Sequence, residues 1–236
     1  MNPRQVIRQI PTTVRRAVVD APLTFIWLGI LLATTIIART LDPAELDDVL
    51  GNRSTNLHNL STDPLHVLVT SLFWIDGAYW LPYLVMYCVF HVPAERWLGS
   101  LRWLAVGLSA HVLATFISEG LLALAIHDGL VADSMTNVRD VGVSYFLAGI
   151  VGVLTYRIAR PWRWIYLAGV LVVYGAPLIT ALDFTSIGHF ASVLIGLLCY
   201  PLTRGRPGPA WNPVDTLRNC FRRSPADDES SRVVAP

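Results

Sequence analysis

The chain is short of charge. Only 15% of its 236 residues are charged, against 53% hydrophobic, and its mean hydropathy is +0.49. That balance excludes an ordinary soluble domain of this size and points to a membrane protein with several spans. Lysine is missing altogether: all 18 basic side chains are arginines, a bias of composition that carries no mechanism. Cysteine is scarce, with Cys88 and Cys199 inside apolar stretches and Cys220 in a basic tail, which excludes a disulfide framework. The histidines fall at irregular spacing, so no metal site and no cofactor are expected. Residues 1 to 20 lack a continuous apolar core, so they do not read as a cleavable signal peptide, and the first span is expected to stay as an anchor. The formal net charge of +1 gives no sign of a nucleic-acid partner.

Long uncharged runs are what the chain does have. An apolar helix needs about 20 residues to cross a hydrocarbon core of ~30 Å. By that measure spans are expected at Pro22 to Ala38, Gly77 to Ala94, Trp103 to Ile126, Val141 to Tyr156, Trp164 to Leu182 and Phe184 to Thr203. Leu41 to Asp63 reads as a polar loop, and Pro64 to Ile75 as a short re-entrant or interfacial segment. The expected fold is therefore an all-α bundle of six transmembrane helices with a partly embedded loop between the first two. Residues 1–21 form an N-terminal tail, 22–203 the membrane domain, and 204–236 a disordered C-terminal tail. Of the 18 arginines only Arg39, Arg53 and Arg139 fall on one side of this topology. The positive-inside rule then places both termini in the cytoplasm.

Small residues recur at every fourth position in two of these spans. In one they are Ser144, Ala148 and Gly152; in the other Gly188, Ser192 and Gly196. Such stripes let two backbones approach closely in an apolar solvent, where packing must hold helices together. Packed stripe to stripe, they bring the Ser144 hydroxyl and the His189 imidazole to one end. Counting along each helix puts Ser144 ~6 Å and His189 ~9 Å below the outer surface. A nucleophile and its general base need that arrangement. The first turn of a helix adds free amides that can receive an oxyanion, and Gly142 allows close approach of a substrate backbone. The same residues also suit plain helix packing, with His189 as a structural donor.

At these residues the chain resembles the rhomboid family of intramembrane serine proteases, over about Pro64 to Thr203. Gly142-Val-Ser144 matches three positions of that family's Gly-x-Ser-Gly motif, and His189 with Ser192 and Gly196 matches its second pattern. Glu95-Arg-Trp-Leu-Gly-Ser100 is similar to the turn after the second span, and Val69-Thr-Ser-Leu-Phe73 to the stretch before it. The resemblance implies a Ser144 nucleophile, a His189 base, single-span membrane proteins as substrates and a bacterial cytoplasmic membrane as the location. Three tyrosines depart from the pattern. Tyr79 and Tyr83 stand where the family carries oxyanion-holding His and Asn, and Tyr145 replaces the second motif glycine. A tyrosine hydroxyl can donate in its turn, whereas loss of one oxyanion donor costs about 100- to 1000-fold in rate.

Two other polar residues, His111 and Glu119, lie inside the third span and are expected to face the bundle. The expected activity is cleavage of membrane-embedded substrates near the outer face of the membrane. A relative that binds membrane-protein clients without cutting them is the alternative, and the three tyrosines favour it. A small transporter, with Glu119 and His111 along its pathway, is a further alternative.

Overall fold

Proline and short polar caps mark where the first helices begin. The computed structural model describes residues 15–77, 79–180, 183–206, 208 and 210–222. Helices α1 (Pro22–Thr40), α2 (Pro43–Asn52) and α4 (Pro64–Thr70) all carry proline in the first turn, where a missing N–H costs nothing. Asp42 and Glu45 form a capping box on α2, and the Asn56 and Asp63 side chains cap α3 (Leu57–Thr62) and α4. The stretch expected as a polar loop is thus folded into two short helices, because its acids and amides serve as caps. The short segment that follows is α4 and a 3₁₀ turn, Ser71–Phe73, with Val67 and Leu72 buried and Leu65 and Val69 exposed.

The second apolar stretch is one continuous rod over 80–98. It runs from α5 (Trp80–Met86) through a π-helical turn (Tyr87–His91) into α6 (Val92–Leu98). Pro93 accounts for the wide turn: it has no N–H and its ring would press on the carbonyl four residues back, so one extra residue is accommodated. After Gly99, at φ +77°, come α7 (Ser100–His127) and α8 (Val143–Leu154). Pro177 divides α9 (Trp162–Gly175) from α10 (Pro177–Thr180), and α11 (Phe184–Leu198) completes the bundle.

Three helical segments, Pro22–Thr40, Ser100–His127 and Trp162–Thr180, are long and apolar enough to cross a membrane. Helices α8 and α11 are apolar but shorter. Among the described residues there is no strand, only one bridge, between Ile158 and Trp211. That bridge ties down part of the stretch expected to be disordered. Trp211 N donates to Arg157 O and Ala159 N to Trp211 O, and α12 (Pro213–Arg222) follows, with the Asn212 side chain accepting from Val214 N. The expected tails over 1–14 and 223–236 lie outside the described residues.

Aromatic rings fill the centre. Trp27 packs on Phe146 at 4.8 Å and on Trp103 at 5.9 Å, and the His91 ring is stacked on Tyr87 at 3.8 Å. At one end of the bundle, Glu95 is 1% exposed and acts as a clamp. Its carboxylate accepts from Leu23 N at 3.0 Å, Thr24 N at 2.8 Å and Ser100 Oγ at 2.6 Å. The first-turn amides of α1, which a helix cannot satisfy by itself, are thereby capped from the 95–100 turn. Arg102 does the converse for the 3₁₀ turn Tyr200–Thr203 beyond the bundle, donating to Leu202 O and Arg204 O at 2.9 Å each.

Candidate functional site

Helices α7, α8 and α11 form the heart of the molecule, and glycine sets how close they come. A Cβ on Gly152 would meet the Val193 carbonyl, one on Gly196 the Gly149 carbonyl, and one on Gly149 the Ala110 methyl. Backbone therefore lies on backbone, as small-residue faces permit. The face of α8 turned to α11 takes in more than the stripe read in the sequence. Tyr145 and Gly149 join Gly152 there: Gly188 lies under the Tyr145 ring, and a Cβ on Gly196 would meet Gly149 O. Ala148 is buried one position round, with Leu147, Val151, Val170 and Val193. Ser192 is buried, and its hydroxyl donates to Gly188 O at 2.8 Å within its own helix.

Ser144 and His189 both stand at the beginnings of their helices. Gly142 precedes α8 without a side-chain cap, so the first-turn amides of α8 receive no side-chain acceptor from it. Ser144 is half-buried, and its Oγ donates to Val141 O at 3.4 Å. His189 is half-buried in the second turn of α11, whose start is capped by Asp183 accepting from Ser186 N at 2.6 Å. The His189 ring meets the edge of the Tyr145 ring at 5.1 Å and 78°, with Tyr174 at 6.3 Å. No hydrogen bond joins Ser144 to His189: the hydroxyl turns to the Val141 carbonyl just before α8, and the imidazole is faced by rings.

The remaining sequence candidates divide into two groups. Tyr79 is 68% exposed at the start of α5, while Tyr83 is half-buried and lies near Asp76 and Tyr174. Tyr83 thus belongs to the same aromatic rim as Tyr174 and His189. On the other flank, His111 is fully buried with its ring against Gly142, where any Cβ would collide with it. Its Nε2 faces Leu68 O at 2.9 Å; a carbonyl only accepts, so that nitrogen carries the proton. His111 thereby links the 64–70 helix to the residue that precedes α8. Glu119, two turns further along α7, is also buried.

Asp140 is the residue that sequence reasoning missed. It is 3% exposed and stitched to the loop before α3: its N–H donates to Ser54 Oγ at 2.7 Å, and its carbonyl accepts from Thr55 N at 2.9 Å. Its side chain accepts from Thr55 Oγ1 at 3.2 Å. Burial pushes the Asp140 carboxyl up to about 7, against the smaller opposing effect of its hydrogen-bond donors. The signal for it was the position itself, two residues before Gly142 at the start of an apolar helix. Among the described residues no group of His, Cys, Asp and Glu could hold a metal ion.

A family model described as Rhomboid-like protein matches residues 16–209 of the chain. No curated protein and no solved structure matches it.

Proposed function

We propose, since the chain belongs to the rhomboid-like protein family, that this membrane-embedded protein is an intramembrane serine protease acting through Ser144 and His189. The observation that carries the reading is the backbone contact between α8 and α11, which sets the first turn of one beside the second turn of the other. Rotation about the Ser144 Cα–Cβ bond frees its hydroxyl from Val141, and catalytic hydrogen bonds are often long before substrate binds. His189 then takes the serine proton, Ser144 Oγ attacks a peptide carbonyl, and the amides at the start of α8 hold the oxyanion. His189 returns the proton to the leaving amine. Six crossings, with both termini in the cytoplasm of a bacterial cell, put this chemistry near the outer face of the membrane. A substrate helix must expose its backbone to be cut, so single-span proteins with helix-breaking residues near that face are the substrate class.

A second reading has its own support. The Ser144 bond to Val141 and the Tyr145 ring against His189 suit a relative that binds membrane-protein clients without cutting them. One experiment separates the two. The purified protein is treated with a serine-reactive fluorophosphonate, and the attachment site is read by mass spectrometry. The protease reading expects labelling at Ser144, lost in Ser144→Ala and reduced at least 100-fold in His189→Ala. Unlabelled Ser144 in a folded protein would transfer the assignment to the binding reading.

A further inference from the structure

Helix α12 has two unlike sides. At about 100° per residue, its register gathers Val214, Leu217, Cys220 and Phe221 into an arc of about 120°. Arg218 follows at the edge of that arc and Arg222 just beyond it, with Asp215 and Asn219 opposite. The helix is closed at its start by Asn212, which accepts from Val214 N at 3.0 Å and donates to Asp215 at 2.9 Å. Asp215, Thr216 and Arg218 are exposed, and Val214 is only half-buried, so the side that carries it is not sealed within the bundle. Ten residues are too few for a helix to be stable standing alone in water, and an apolar side needs a surface to lie on.

Backbone fixes the level at which α12 begins. Trp211 N donates to Arg157 O at 2.8 Å, and Trp211 O accepts from Ala159 N at 2.9 Å. The helix therefore leaves from the turn that precedes Trp162–Thr180, a segment long and apolar enough to cross a membrane. Guanidinium groups and rings crowd the same level. Arg157 lies over Trp97 and Arg160 over Trp164, each at 5.9 Å, and Arg204 over Tyr200 at 5.3 Å. Trp164 is 56% exposed and Trp211 49%. Exposed tryptophans beside arginines belong at the boundary between headgroups and hydrocarbon, where a ring is half in lipid and a guanidinium reaches water. The acids of this end are already engaged: Asp20 with Arg96 at 3.1 Å, Glu95 with the amides of α1, and Asp215 with Asn212. What remains to face outward is positive charge, which complements an anionic leaflet.

We propose that α12 is an interfacial helix that lies on the anionic phospholipid surface of the protein's own membrane. The side carrying positions 214, 217 and 221 rests among the acyl chains, and the arginines at 218 and 222 stand at the level of the phosphates. The end of the chain is thereby moored to the leaflet that the bundle's arginines already face. This holds whether or not Ser144 is a nucleophile.

The test uses the full chain carrying Cys88→Ala and Cys199→Ala, which keeps Cys220 as the attachment point for a bimane fluorophore. The protein is placed in nanodiscs of mixed phosphatidylcholine and phosphatidylglycerol, with or without phosphatidylcholine that carries a nitroxide high on its acyl chain. The nitroxide is expected to remove about half of the emission at Cys220. A label moved to Asn219→Cys, in a chain that also lacks Cys220, should stay bright. Leu217→Asp with Phe221→Asp should abolish the quenching, and Arg218→Gln with Arg222→Gln, or discs of phosphatidylcholine alone, should weaken it several-fold. Thermal unfolding of each variant controls for an intact bundle. Emission at Cys220 that the nitroxide leaves unchanged, or equal quenching at 219 and 220, would overturn the proposal. Quenching indifferent to phosphatidylglycerol would overturn the assignment of an anionic surface. A label shielded equally in discs and in detergent would put α12 on the bundle, and one shielded only in discs that hold two copies would put it on a second chain; either result overturns the docking on lipid.

Discussion

Glu95 accepts two amides that α1 cannot satisfy alone, and removing its carboxylate strands the Leu23 and Thr24 N–H groups together with the Ser100 hydroxyl. Hydrogen bonds to a buried charge are worth about 1.5 to 3 kcal/mol each, with strong non-additivity. Glu95→Ala is therefore expected to destabilise the protein by about 3 kcal/mol, measured by thermal unfolding in detergent. Glu95→Gln, which keeps one acceptor oxygen, should lose roughly half as much. The sequence marked this residue only through a resemblance, because nothing local says which helix a carboxylate will cap 72 positions away. Ser144 and His189 were legible as candidates because a histidine and a serine at the mouths of two apolar spans are conspicuous. Asp140 was not, since an acid at the end of a loop looks solvated until the chain folds over it.

The contact between α8 and α11 is made by glycines on both sides, which gives a sharp pair of substitutions. Gly196→Ala places a methyl on the Gly149 carbonyl, and neither backbone can yield without parting the helices. A loss of about 2 to 3 kcal/mol is expected from such overpacking. Gly29→Ala, in α1 where a Cβ meets open space, should be neutral or stabilising by up to about 1 kcal/mol. Thermal unfolding of the two variants side by side checks the ranking. Periodicity revealed that both helices carry a small-residue face, and it gave Gly152, Gly188 and Gly196 their places there. It did not show that Tyr145 and Gly149 share that face of α8. Tyr145 hid the true face, because a large ring reads as a barrier unless the glycine it covers, Gly188, is known to lie opposite. The helices within 41–63 were missed for another reason: their polar residues were weighed as solvent-facing when Asp42, Asn56 and Asp63 act as caps.

Over the whole molecule, arginines collect at the end that holds Glu95, where Arg96, Arg102, Arg157 and Arg163 stand in turns and at helix ends. If six segments cross, single cysteines at Leu130 and at Gly205, in a chain cleared of its own three, will label from opposite faces of sealed cells. An impermeant maleimide should reach the first and spare the second; equal labelling would refute that topology. Residence in a membrane was legible from composition, and all-helical architecture from the long uncharged runs. The number of crossings was less so, because α8 and α11 are shorter than a bilayer and continue as 3₁₀ turns, Thr155–Arg157 and Tyr200–Thr203. The Glu95 clamp also orders assembly in time. When α1 leaves the ribosome its opening amides are bare, and the acceptor that completes them has not yet been made. Helix α1 must wait in the bilayer for the 95–100 turn before its leading turn is finished.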